Sequence, residues 1–120
     1  MSNVLVKLKF ENEEVIVRME NTPTAQDFLS LLPMKLTIED YAGTEKISYL
    51  PRKLSVEGTP NGIEAKRGDF NYYAPWGNVA IFYHDFRFSK GLIKLGAIES
   101  GIEKLEHHTS NFEMVIEKVE

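Results

Sequence analysis

Apolar and polar positions alternate through most of this chain, and the alternation changes period at only a few places. Val4, Val6, Leu8 and Phe10 share one face, with Lys7 and Lys9 between them, which is the period of a half-buried strand. After a polar turn over Glu11 to Glu13, Val15, Val17 and Met19 face one way and Ile16 and Arg18 the other, so the first segment reads as a β-hairpin. The period then becomes helical. Ala25, Phe28, Leu29 and Leu32 recur at i, i+3, i+4 and i+7 and make one apolar stripe. Thr24 is read as the N-cap, Asp27 as its capping-box partner and Pro33 as the stop. A helix this short is marginal by itself and must lean on a sheet.

Strand spacing returns with Met34, Leu36 and Ile38, turns around Gly43, resumes with Ile47 and Tyr49, and ends at Pro51. Residues 51–67 break the pattern. Pro60-Asn61-Gly62 has the residues of a tight turn, and the stretch reads as mostly loop with a short strand near Leu54 to Val56. An aromatic hairpin follows, then a polar loop around Ser89 to Gly91, a strand over Leu92 to Ile98, a helix opened by Ser100-Gly101-Ile102-Glu103 and running to about Glu106, and a last strand from Phe112 to Val119. The expectation is a mainly β domain over residues 1–120, a closed or nearly closed barrel of about eight mostly antiparallel strands, with two short helices capping its ends. Its first and last strands should pair or lie side by side.

The densest signal is the run Gly68 to Tyr83, which holds six aromatic residues in sixteen positions, including the only Trp. Two strands joined by Pro75-Trp76-Gly77-Asn78 would place Tyr73 across from the strand carrying Ala80 and Phe82. Such rings either fill a barrel or wall an apolar binding site, because aromatic side chains favour strands in any case.

Composition narrows the function classes. At 42% hydrophobic and 27% charged the chain has the make-up of a folded globular domain. The net charge of −4, with Lys46, Arg52, Lys53, Lys66 and Arg67 scattered among acids as on a solvated surface, argues against a duplex nucleic-acid binder. There is no cysteine, which removes disulfides, thiolate metal sites and cysteine catalysis. No leader pattern or bilayer-length apolar run is read, and a cytoplasmic location without membrane association is expected.

Few residues call for chemistry. Glu103 and His107 lie one helical turn apart, but His107 and His108 point different ways, so no metal site is assigned. His84-Asp85 has no nucleophile in an elbow pattern to serve. Asp69 fits a backbone-binding turn residue better than a base, and Asn78 fits a turn residue of positive φ better than a ligand contact. No phosphate loop occurs. No catalytic residue, metal or cofactor is expected.

Two segments resemble cyclophilins, the peptidyl-prolyl isomerase fold. Leu95-Gly96-Ala97-Ile98-Glu99-Ser100-Gly101-Ile102-Glu103-Lys104-Leu105 is similar to the cyclophilin run in which a strand ends and the second capping helix begins. Pro60 to Phe70, ending in Gly68-Asp69-Phe70, is similar to the cyclophilin segment ending in Gly-Asp-Phe. The shorter bacterial and archaeal cyclophilin-like proteins match better, through the Gly-Asp, Tyr, Pro, Gly-Asn and Ile-Phe pattern of Gly68 to Tyr83. Carried over residue by residue, the resemblance puts Gly58 where cyclophilins hold their catalytic Arg, Ile63 at a pocket Phe, Lys66 at a Gln and Leu92 at a pocket His. Phe82 falls at a proline-contacting Phe. The apolar half of an isomerase site is kept and the polar half is lost, unless Arg52 or Arg67 reaches in from another loop. The resemblance, with Ile63, Lys66, Phe82 and Leu92, and the aromatic run, with Tyr73, Trp76, Asn78 and Phe88, together give an expected groove that binds a peptide or a small apolar ligand without efficient isomerase chemistry. An active prolyl isomerase with a relocated cation and a non-catalytic protein-interaction module are the alternatives.

Overall fold

The computed structural model describes residues 4–108 and 110–119. Along the chain run β1 (Leu5–Phe10), β2 (Glu13–Met19), α1 (Pro23–Leu29), β3 (Met34–Tyr41), β4 (Glu45–Tyr49), β5 (Gly62–Ala65), β6 (Asp69–Tyr73), β7 (Asn78–Phe82), β8 (Phe86–Lys90), β9 (Leu92–Ser100), α2 (Ile102–Glu106) and β10 (Phe112–Lys118). Eight of these strands close into a barrel in the order β1-β10-β3-β4-β7-β6-β9-β2, and β5 and β8 form a separate two-stranded ribbon. Every pairing is antiparallel, including that of the first strand with the last. The fold is therefore the mainly β closed barrel with two helices that the alternation predicts.

Inward residues form one apolar cluster. Val6, Leu8 and Phe10 of β1, Val15 and Val17 of β2, Phe70 and Tyr72 of β6, Val79 and Ile81 of β7, and Met114 and Ile116 of β10 are all buried in it. Ala25, Phe28 and Leu29 of α1 and Leu105 of α2 join the same cluster. A side chain from outside a closed barrel reaches its interior only through an open end, so the helices act as plugs. Phe28 meets Phe70 edge-on, with ring centroids 5.4 Å apart.

A second, smaller cluster lies on the outside of the wall. Ile47 of β4, Ala80 and Phe82 of β7, Leu92 of β9 and Ala65 of β5 make it up. These residues alternate with the inward ones on the same strands, so they point out of the barrel, where the β5–β8 ribbon covers them. Gly62 permits that cover, because a Cβ there would lie 2.2 Å from the Ser89 carbonyl oxygen on the paired strand.

Several local expectations are corrected. The N-cap of α1 is Thr22, not Thr24; its hydroxyl accepts from the Ala25 N–H, with Pro23 in the first helical position. Thr24 instead donates its hydroxyl to the Ser55 carbonyl. Asp27 is not a capping-box partner but holds Arg52 at 2.8 Å and accepts the Ser55 N–H at 2.7 Å. The helix ends at Leu29, before Leu32. Leu54 to Val56 is not a strand, because these bonds, with Leu54 N–H donating to the Tyr72 hydroxyl, tie residues 52–55 to α1 and the barrel end. The second capping box is absent too: Gly101 caps α2 without a side-chain bond, and Ser100 belongs to β9. Ser89 and Lys90 are not loop but β8, and Gly62 to Ala65 is its partner strand. Lys46, read as a solvated surface charge, is only 1% exposed. It turns into one end of the barrel, donates to the His108 carbonyl and pairs with Asp40 at 3.2 Å. Among the described residues no helix is long and apolar enough to cross a membrane.

Candidate functional site

An aromatic cleft of about 390 Å³ opens on the outer face of the barrel, between the wall and the β5–β8 ribbon. Its floor is Phe82 and Leu92, which are 2% and 1% exposed. Tyr73 of β6 lies beside them, directly across from Leu92 in the sheet register. Trp76, in the turn between β6 and β7, stands at the mouth. It meets Tyr41 and Tyr73 edge-on, at centroid distances of 5.5 and 5.4 Å and interplanar angles of 81° and 80°. The far lip is β8, where Phe86 stacks on Phe82 at 6.3 Å. Trp76 and Phe88 remain 46% and 54% exposed, so the cleft is not filled by its own rings.

Of the eight residues expected to form the groove, Tyr73, Trp76, Phe82, Phe88 and Leu92 surround this one cleft. Ile63 packs against the outer cluster beneath it. Lys66 is exposed and lies outside the lining, its backbone N–H tied to the Asp69 carboxylate. Asn78 is not the positive-φ turn residue; Gly77 is, at φ 69°. Asn78 opens β7, is buried, and donates its amide to the Val79 carbonyl. Neither arginine named as a replacement cation reaches the cleft. Arg52 is held by Asp27, and Arg67 donates to Glu106 at 2.6 Å and to the Tyr83 carbonyl at 2.7 Å. Gly58, matched to the missing Arg, sits in a loop at φ 71°.

Six lining residues stand outside the expected eight: Tyr41, Glu45, Phe86, Arg87, Ser89 and Lys90. The guanidinium of Arg87 lies over the Phe86 ring, 4.7 Å from its centroid. Glu45 is placed by register, between Tyr41 of β3 on one side and Phe82 of β7 on the other. Burial, and secondarily the nearby Asp40 carboxylate, push its carboxyl up to about 7. Asp40 behaves oppositely. Burial would raise it, but hydrogen bonds from the Tyr83 hydroxyl and Lys46 outweigh that and hold it below its ordinary value. The Tyr83 phenol is in turn driven higher by burial and by Asp40.

The outer face also carries buried amides. Asn71 alternates with the inward Phe70 and Tyr72, and both its side-chain nitrogen and oxygen are buried without a hydrogen-bond partner among the described residues, as is the Asn78 oxygen. Elsewhere the polar candidates are occupied. Asp69 accepts the Lys66 N–H, as expected of a turn residue. Asp85 accepts the Arg67 N–H. His108 stacks on Phe112 at 4.1 Å and meets Phe10 edge-on. Among the described residues no group of three or more His, Cys, Asp or Glu is arranged to hold a metal. Two larger depressions, of about 760 and 510 Å³, lie near Lys7 and Glu117 and near Glu11 and His107. The second is lined by charged and polar side chains, and the first mixes Leu32, Pro33 and Val119 with Lys118 and the Lys7–Glu117 pair at 3.8 Å; neither gathers the aromatic side chains found in the cleft.

No curated protein matches the chain. A hypothetical protein of Archaeoglobus fulgidus, whose solution structure is known, superposes with a TM-score of 0.77 at 20% identity, over 98% of this chain and 95% of that one. At that identity the likeness is one of fold. Residues 8–117 match the Cyclophilin-like family over nearly the whole barrel, and the chain belongs to that family.

Proposed function

We propose that this protein binds a peptide or a small apolar molecule in the aromatic cleft and does not accelerate prolyl isomerisation. The observation that carries this reading is the cleft itself, in which the half-exposed rings of Tyr41, Trp76 and Phe88 stand around a floor of Phe82 and Leu92. Monomeric surfaces rarely leave such aromatic groups grouped and uncovered unless something docks there. The matched positions supply apolar contact without the paired polar groups that would polarise a proline amide. The acidic chain and its cysteine-free composition suit a cytoplasmic protein acting without nucleic acid or membrane.

Trp76 is the only tryptophan, so the site reports on itself. Titration with a capped proline-containing peptide or with neopentylbenzene should shift or quench its fluorescence, and Phe82→Leu should weaken whichever probe binds. No response to either probe would remove the reading. A second reading, an active isomerase, is favoured by one observation: Arg87 brings a guanidinium into the cleft. A protease-coupled assay on a proline peptide separates the two. A rate near that of cyclophilins, abolished by Arg87→Ala, would establish the enzyme, whereas the binding reading expects no acceleration.

A further inference from the structure

Resting on the binding reading, we propose that the cleft takes a ligand whose apolar body ends in an alkylammonium head, with the head seated between Glu45 and the rings of Tyr41 and Trp76. Three features converge on it. The Glu45 carboxyl lies in the cleft lining and makes no hydrogen bond or ion pair with any described residue, so no protein donor satisfies this half-buried acid. The indole of Trp76 stands nearly perpendicular to Tyr41 on one side and Tyr73 on the other, which presents aromatic faces and edges around a small volume beside that carboxyl. Rings so disposed attract cations through their quadrupoles. The same cleft already holds one cation in this way, Arg87 over Phe86.

The charges around Glu45 leave room for a cation. On β3 it pairs with Tyr41 and lies near Asp40, whose charge adds to burial in raising it. Lys46, next in its own strand, points into the barrel and is paired with Asp40. Tyr83, just beyond β7, has its hydroxyl bonded to Asp40. Tyr73 approaches from β6. Arg87 and Lys90 on β8 are the lining cations; both are exposed to water, which screens them. An ammonium that displaces water at Glu45 would restore the carboxylate and release a proton, because the free carboxyl titrates near neutrality.

The test compares benzyltrimethylammonium with neopentylbenzene, its uncharged isostere, by Trp76 fluorescence on the intact chain. At pH 8.5 the cation should bind more tightly than its isostere, and its affinity should fall roughly eightfold at pH 5.5, where a carboxyl titrating near 7 is almost wholly protonated and resembles a neutral amide. Glu45→Gln should lower the cation's affinity about tenfold at pH 8.5 and flatten its pH profile, leaving the neutral isostere unchanged. Glu45 is half-buried on the barrel's exterior, so the variant should fold, and the wild-type pH profile tests the idea without it. Equal affinities, or a cation affinity indifferent to pH and to Glu45→Gln, would overturn the ammonium inference and leave the apolar cleft standing. Silence from both probes would overturn both.

Discussion

Phe70 and Phe82 sit on neighbouring paired strands and are almost equally buried, at 0% and 2% exposed, yet they belong to different parts of the molecule. Phe70 points into the barrel, where its contacts are rings and aliphatic side chains from the strands and from α1. Phe82 points outward, under a two-stranded ribbon, beside a half-buried acid, unpartnered amides and an open cleft. The interior is mainly apolar, and at one end the buried Lys46 finds partners in Asp40 and the His108 carbonyl. The outer face departs from that pattern in several ways at once, with Tyr41, Trp76 and Phe88 exposed, Asn71 without a side-chain partner among the described residues, and Glu45 driven toward neutrality. Burial alone therefore does not distinguish core from site; the chemistry of what surrounds the buried ring does. Local inconsistencies that a fold tolerates on one face only are where function is expected to reside.

The sharpest way to break this contrast is to remove an interior ring. Phe70→Ala should cost about 3–5 kcal/mol, because the ring is enclosed by barrel strands and by Phe28, which cannot all collapse into the cavity left. Urea unfolding would measure it. A loss under about 1 kcal/mol would mean that the barrel interior is as loosely built as the outer cluster.

Glu45→Gln should act in the opposite direction, and only in part of the pH range. The folded-state carboxyl titrates at about 7 against an ordinary value of 4.5. Its contribution is fully present below about pH 4.5 and is lost as pH rises through 7, because the native state then retains a proton that the unfolded chain has released. Glutamine removes that slope, so the variant should be more stable than the parent by roughly 2 kcal/mol at pH 8.5 and indistinguishable from it near pH 4. Asp40, held below its ordinary value, titrates outside this window, since its contribution disappears only as pH falls into the acid range. Parallel stability curves for parent and variant from pH 4 to 8.5 would show that Glu45 is solvated and not part of an apolar site.

A smaller effect is expected from Asn71→Leu. Both amide atoms are buried without a protein partner, so an apolar side chain of similar size should leave stability unchanged or raise it by about 1 kcal/mol. Thermal unfolding that moved downward by several degrees would mean that the amide makes bonds the outer face depends on.

The two regions also differ in how far they could be read from the chain. The barrel was legible because Val6, Leu8 and Phe10, or Val15, Val17 and Met19, alternate without interruption, and one buried face fixes which way a strand turns. The ribbon was not, although Phe86-Arg87-Phe88-Ser89-Lys90 alternates too. Its partner, Gly62–Ala65, is four residues long and begins with glycine, and a strand that short has no pattern of its own. The α1 cap is legible in the Thr22-Pro23 pair, since proline favours the first helical position, but Thr24 three residues before Asp27 imitates a capping box and competes with it. Within the cleft the aromatic residues announced themselves by density. Glu45 had no such signal. Its burial depends on a register that sets Tyr41 and Phe82 on either side of it, and register between strands distant in sequence is a property of the whole barrel.

The mildest substitution bears most directly on the site. Phe88 is 54% exposed at the lip of the cleft, on a strand that pairs with β5 in a two-stranded ribbon. A ring that rests largely in water contributes little to the fold, and its removal should change stability by no more than about 0.5 kcal/mol. If the lip exists to cover a ligand, Phe88→Ala should still weaken neopentylbenzene binding severalfold, because the bound molecule loses one apolar wall. The pairing of a silent unfolding curve with a weakened Trp76 response would separate a binding ring from a packing one. A stability loss above about 1 kcal/mol would place Phe88 with the ribbon's own core, and an unchanged titration would confine the site to the floor of Phe82 and Leu92.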